Sequence, residues 1–478
     1  MYMKKITFLF AAILMNFGYA QTFYDAQAGL PQITYSMSAW GDYDNDGDLD
    51  LFISGYLNSN TPGAGGLYEY DNGAFTLVTN SGLPLYDNGE ADWGDFDGDG
   101  NLDLLIMGYD EVNFVGVVDV FRSNGNGTFA AMNLGMLPSY LGDTRFADIN
   151  NDGHLDIAVT GIETNTWANF TKIYKNNGNN TVSEITTVFP PLNMAKIAFA
   201  DYDADGDQDF AISGWNNTTD TPYTALWKNN GDETFTEITT SFANVWLGDL
   251  GWADYDNDGD ADLLVTGTAS AASEIYLYRN EGSDTFTEES RTGFIGAHRD
   301  GNIEWADFDN DGNVDLYVTG VNVDASGTET AKALLYINNG NSTFTLNASV
   351  LLEPQFFGDV DAADYDADGK VDLVVTGSDR QGFGISMVYH NGPLAGIRDN
   401  IADNFKVYPN PASDFITISN SEANDFTIQI MDITGKIVKV ENVNIASTTL
   451  DVSNLNKGVY LLKIIQDSQS LVQKLIIK

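Results

Sequence analysis

Twenty-seven aspartates and one asparagine recur at matched places in this chain, spaced as ligands to a hard cation would be. The pattern D-x-[DN]-x-D-G-x-x-D is written seven times. Position 1 is Asp42, Asp95, Asp148, Asp201, Asp254, Asp307 and Asp364. Position 3 is Asp44, Asp97, Asn150, Asp203, Asp256, Asp309 and Asp366. Position 5 is Asp46, Asp99, Asp152, Asp205, Asp258, Asp311 and Asp368. Position 9 is Asp50, Asp103, Asp156, Asp209, Asp262, Asp315 and Asp372, and position 6 is always glycine, from Gly47 to Gly369. Four carboxylates so close together repel one another, and a divalent cation turns that repulsion into attraction. Calcium accepts six to eight oxygens at about 2.3–2.6 Å in a forgiving geometry. Positions 1, 3 and 5 turn their oxygens inward, and glycine at 6 permits the bend. Position 7 offers a backbone carbonyl and Asp at 9 closes the cage. Position 7 varies freely (Asp48, Asn101, His154, Lys370), as expected where only the backbone is used. The expectation is about seven calcium ions. A metal-free Asp/Gly hairpin would account for one copy but poorly for seven.

What must position these loops? An EF-hand shares the first six positions but needs a Glu at position 12 and a helix on each side. Here position 12 is Ile53, Ile106, Val159, Ile212, Val265, Val318 or Val375, inside a short β-rich run that ends in glycine. The loop therefore joins two strands. Successive copies start 53 residues apart five times and 57 residues once, which is a repeat architecture. In the fifth repeat, Trp252–Tyr255 leads into the loop, 262–266 follows it, and 275–280 and 285–288 supply a third and a fourth strand. Four short strands per repeat without helical periodicity predict propeller blades. The last repeat stops after its third strand at Gly392, and Thr22–Asp25 supplies a spare strand at the other end. That split predicts a closed ring clasped by the N-terminal strand. The fold expected is all-β: a seven-bladed β-propeller over residues 21–393, then a small Ig-like β-sandwich.

On these motifs residues 22–392 resemble the FG-GAP/VCBS repeat family, which includes the propeller of integrin α subunits. The resemblance implies calcium in the hairpin between strands 1 and 2 of each blade, which falls on the seven loops above. After a linker at 394–404 the composition changes. Residues 405–478 are β-rich and charge-balanced, with Tyr408-Pro409-Asn410-Pro411, Gly458-Val459-Tyr460 and a basic end. This segment resembles the C-terminal sorting domain of the type IX secretion system of Bacteroidetes, which implies passage to the cell surface or medium and a partner in that outer-membrane machinery. Lys4 and Lys5 precede the apolar run Ile6–Met15, with Gly18 and Ala20 at −3 and −1, so residues 1–20 read as a signal peptide. That run is too short to span a bilayer, and no other stretch qualifies. There is no cysteine, which excludes disulfide stapling.

The net charge is −47. The signal segment contributes two lysines and residues 404–478 balance seven acids with seven bases, which leaves −49 on residues 21–403. Nucleic acid is thereby excluded as its partner, and so are anionic membranes. A monomer is expected. Of the histidines, His154 lies in a loop, His390 in a third strand and His298 in a variable connection, and no Gly-x-Ser-x-Gly elbow is present. No residue stands out as catalytic. The favoured function is a secreted or surface binding module for a glycan or protein ligand. The alternative is a polysaccharide-degrading lyase or hydrolase on the same scaffold. An enzyme should bury Lys, Arg or Tyr beside carboxylates in one deep pocket, whereas a binder should expose aromatics on a shallow face. Trp40, Trp93, Trp252 and Trp305 stand two residues before a loop, as core residues would. Trp167, Trp215 and Trp246 do not follow the repeat, and Trp215 and Trp246 are assigned to connections on a ligand face.

Overall fold

The computed structural model describes residues 23–57, 63–269, 273–289, 294, 300–323, 328–379, 381–392, 405–420, 426–431, 437–443, 447–466 and 469–478. The expected signal peptide, the 394–404 linker and His298 lie outside them. Every regular element among the described residues is a strand. Residues 1–391 and 392–478 form two compact units.

The first unit is seven four-stranded antiparallel sheets. In the fifth, Leu250–Ala253, Asp262–Thr268, Ser273–Asn280 and Phe286–Glu288 lie in chain order from the ring's axis outward. The seventh is assembled from both ends of the unit. Val360–Ala363, Asp372–Ser378 and Gly384–Asn391 take Phe23–Asp25 as their fourth strand, with Tyr24 opposite His390. The ring is therefore closed by the strand that the sequence left spare.

The second strand of each blade explains the packing. Leu263, Leu264 and Val265 are all 0 % exposed, because this strand is covered on both faces by the neighbouring blades. Successive side chains therefore belong to different interblade cores. Leu263 and Val265 pack with Tyr202 and Leu226 of the blade before, and Leu264 with Leu316 and Tyr336 of the blade after. The last core joins Tyr365 and Val374 to Leu51 and Ile53. The repeated tryptophans lie in these layers. Trp40 stacks on Tyr365 at 5.4 Å, and the indoles of Trp93 and Trp252 donate to Ala39 O and Ala198 O of the preceding first strands.

The second unit pairs a three-stranded sheet (Phe405–Tyr408, Phe415–Asn420, Ser447–Asp451) with a four-stranded one (Ile437–Val443, Phe426–Met431, Gly458–Gln466, Gln469–Ile477). Ile416, Ile418, Ile428, Ile430, Leu462 and Ile464, all 0 % exposed, fill the space between them. This is the expected sandwich.

Candidate metal centres and the opposite rim

All seven Asp loops join the first and second strands, so they share one rim of the ring. The backbone of each loop winds around its own carboxylates. Position 1 accepts the N–H of position 5 at 2.9–3.1 Å and that of the glycine at 2.8–3.1 Å in every copy. The glycine has φ between +85° and +99°. A Cβ there would touch nothing, so conformation and not space demands glycine. Position 4 is left-handed in all seven as well, from Asn45 (φ 63°) to Ala367 (φ 56°).

Position 9 is the buried member, 0–1 % exposed in every copy. One of its oxygens accepts a backbone N–H of the third strand at 2.6–2.9 Å, at Tyr70, Ser123, Asn176, Asn229, Asn280, Asn338 and Asn391. The carboxylate thus ties the loop to the blade and holds its second oxygen near the others. Burial pushes Asp50, Asp209, Asp262 and Asp315 up to about 7, and Asp103 and Asp156 to about 6, with nearby loop aspartates adding to the rise. Side-chain oxygens of Asp42, Asp44 and Asp50, of Asp201, Asp203 and Asp209, and of Asp254, Asp256 and Asp262 converge to within 4.8 Å of one another. Buried oxygens of Asp203, Asp209, Asp256 and Asp372 have no hydrogen-bond partner. Convergent, desolvated, unpartnered carboxylate oxygens are the donor set that a hard divalent cation satisfies.

Two features of this rim were not recognised from sequence. In five blades the third strand ends in an asparagine whose side-chain amide bridges two blades. Asn280 donates to Ala261 O of its own loop and to Tyr202 O of the preceding one, and Asn176, Asn229, Asn338 and Asn391 repeat this at 2.7–3.3 Å. The repeat of this asparagine was visible at the end of the third strand, but not the bridge its side chain makes. The preceding position carries five residue types over the seven blades: Glu69, Arg122, Lys175, Lys228, Arg279, Ile337 and His390. Arg122 reaches its own loop (Asp97 2.5 Å, Asp99 3.2 Å), as do Lys228 (Asp205 3.3 Å) and His390. Lys175 and Arg279 turn instead to Glu233 and Glu281.

The opposite rim is built differently. Seven residues before each loop stand Tyr35, Asn88, Leu141, Met194, Leu247, Asp300 and Phe357, all left-handed with φ between 44° and 57°. Non-glycine residues seldom adopt this conformation, and a bulky one does so at a cost of order 1 kcal/mol or more. The next residue is Gly in five blades, because the backbone crosses close by there; a Cβ on Gly89 would lie 1.8 Å from Met107 O. The seven side chains collar a cavity of about 300 Å³ on the ring's axis. Tyr35 and Phe357 stack at 5.2 Å and stand 41 % and 38 % exposed.

Below the collar a second cavity of about 290 Å³ is lined by Asp92, Arg145, Lys196, Asp249, Glu304, Asp359 and Asp361. Burial raises these acids, Asp359 to about 7 and Asp361 to about 6, and raises Glu304 further with help from its acidic neighbours. Most have a structural task. Asp92, Asp249, Asp359 and Asp361 each accept a backbone N–H of the next blade's first strand, at 2.8–3.0 Å.

Trp215 and Trp246 lie on the collar's rim and pack on each other at 4.8 Å, both half-buried. Trp215 is not in a connection. It pairs with Asn193 and Pro222 inside the second strand, which runs to Asn216 because both neighbouring strands reach that far. Trp167 is 68 % exposed in a turn.

Comparison with known proteins agrees with this architecture. Residues 42–106, 148–212, 201–265 and 254–318 match the FG-GAP-like repeat, and residues 406–478 match the secretion system C-terminal sorting domain. No curated protein matches the chain. Among solved structures it is similar to PorZ, a surface component of the type IX secretion system of Porphyromonas gingivalis (12 % identity, 92 % of this chain and 81 % of that one, TM-score 0.24). It is also similar to a fucoside-bound lectin of Aleuria aurantia (12 %, 66 % and 96 %, TM-score 0.38) and to sucrose-6-phosphate hydrolase of Lactobacillus gasseri (12 %, 81 % and 85 %, TM-score 0.29). Likeness this remote assigns no ligand to the chain.

Proposed function

We propose that this FG-GAP-repeat protein works outside the cell as a calcium-loaded binding and adhesion module, with a glycan or protein ligand taken on the rim opposite the loops. Its sorting domain makes it cargo of the type IX secretion machinery, destined for the surface or the medium. Calcium would be held by positions 1, 3, 5 and 9 of each loop and would lock seven acidic hairpins to their blades. The observation that carries the binding role is the collar. Seven strained positions present unlike side chains around one cavity, with Tyr35 and Phe357 exposed. Strain repeated at seven places under unlike side chains marks positions where function is grafted. The test is a glycan and matrix-protein binding screen of the full chain in millimolar calcium. Binding lost in Tyr35→Ala or Phe357→Ala supports the reading, and binding indifferent to both contradicts it.

A second reading has its own support. Lys196 and Arg145 beside carboxylates in an axial cavity are the arrangement expected of an enzyme. Glu304, whose carboxyl burial pushes up, would be the acid of a polysaccharide-cleaving pair. The module reading is preferred because four of the seven lining groups are occupied as interblade latches, and structural networks perturb acids as active sites do. Release of reducing or unsaturated ends from a polysaccharide, lost in Glu304→Gln, would reverse that preference.

A further inference from the structure

The seven loops are not seven copies of one site. We propose that the seventh is a mixed nitrogen–oxygen centre, formed by His390 with Asp366 and Asp372, that takes a first-row divalent transition ion in preference to calcium. The inference rests on the reading of the loops as metal sites and makes one of them different in kind.

His390 occupies the place filled by Glu69, Arg122, Lys175, Lys228, Arg279 and Ile337 in the other blades. Alone among these it can offer a nitrogen lone pair. Its side chain is 8 % exposed, and Nδ1 has no hydrogen-bond partner. That atom points into the loop, 3.3 Å from Asp372 Oδ1 and 3.4 Å from Asp366 Oδ2, while Nε2 lies 3.7 Å from Asp368 Oδ2. Asp372 Oδ2 is likewise buried and unpartnered. Two donors on one ion at bond lengths of about 2.1 Å stand about 3.4 Å apart across a tetrahedral angle, so the observed gaps leave room for the ion between them. The ring is braced by Tyr24 at 5.0 Å and Tyr365 at 6.2 Å. Asp366, Asp368 and His390 bring donor atoms within 4.8 Å of one another, and Lys370, 3.6 Å from Asp368, competes for that carboxylate, which leaves the nitrogen with Asp366 and Asp372 as the core of the site.

Donor type decides the preference. Calcium and magnesium gain little from imidazole, whereas the ions from manganese to zinc bind it well. At the matching place the other six blades carry no imidazole, and in two of them Arg122 and Lys228 put a positive charge on the loop instead.

The competing account is that His390 is an imidazolium, a counter-charge like Arg122. Full-length protein in millimolar calcium is titrated with zinc, passed over a desalting column and analysed for both metals. His390→Ile, which borrows the residue of the sixth blade, and His154→Asn are compared with it. The expected result is one zinc retained by the wild type and by His154→Asn, a zinc affinity lower by about tenfold or more in His390→Ile, and at least six calcium ions in all three. Zinc held equally by wild type and His390→Ile, or by neither, overturns the inference. Protein that takes up no calcium in any loop contradicts the parent reading instead, whatever zinc does. Should His390→Ile fail to fold, cobalt added to the wild type decides: paramagnetically shifted His390 ring protons are expected, and unshifted ones overturn the proposal.

Discussion

The two rims of the propeller repeat different things. On the loop rim the side chains recur: 27 Asp among 28 ligand positions, on one backbone path with glycine at the same turn. On the opposite rim only the backbone recurs. Seven left-handed residues stand in register, but they are Tyr35, Asn88, Leu141, Met194, Leu247, Asp300 and Phe357. Repeated chemistry on a repeated backbone is one task performed seven times. Unlike chemistry on a repeated backbone is a single asymmetric surface that the ring supports. The first arrangement suits metal, and the second suits one ligand.

Metal removal should separate the rims most strongly. Extracellular calcium sites have Kd values near 10⁻⁴–10⁻³ M, so at millimolar calcium and the tighter limit each contributes about 1.4 kcal/mol, and seven about 10 kcal/mol. EDTA should lower the melting temperature steeply, and calcium should restore it.

Next in size is a single buried ligand. Asp262→Ala removes a cage oxygen and also strands the N–H groups of Asn280 and Tyr255. It should cost about 2–4 kcal/mol by denaturant melts, against about 1.4 kcal/mol for the exposed ligand variant Asp258→Ala. Equal costs would mean that position 9 does not tie loop to blade.

Acidity should act oppositely on the two metal states. Asp50, Asp209, Asp262 and Asp315 titrate near 7 without metal, well above an unfolded carboxylate. The folded form then binds more protons between pH 4 and pH 7, so unfolding free energy falls as pH rises through that window. Metal-free protein should melt higher at pH 5 than at pH 7.5. Calcium-loaded protein should lose its advantage over the same descent, because protons displace the ion. Parallel pH profiles in EDTA and calcium would contradict this.

The smallest effect on stability belongs to the collar. Phe357→Gly relieves a left-handed side chain and should leave stability unchanged or raise it by up to about 1 kcal/mol, while ligand binding in the screen falls. A variant that melts earlier would mean that the collar is packing and not a binding surface.

Much of the loop rim was legible in the sequence, because a metal cage is specified by residue type at fixed spacing. The clasp was legible too, since a spare strand and a missing one have complementary patterns. The collar was not. Residues as unlike as Leu141 and Asp300 do not announce a left-handed backbone, and only the following glycine, in five blades of seven, hinted at it. His390 was read as a strand residue, because its approach to Asp372 depends on third-strand register 18 residues away (positions 372 and 390). Trp215 was placed one element too late because strand ends are set by their partners, here Asn193 and Pro222.

The acidic loops are proposed to be metal sites that hold the ring together. Calcium bound per chain, counted by equilibrium dialysis in buffer stripped of transition ions, tests this most directly when paired with a melt of the same sample. About seven calcium ions per chain, lost together with the raised melting temperature on EDTA treatment, is the predicted result. No bound calcium and a melting curve indifferent to EDTA would contradict it.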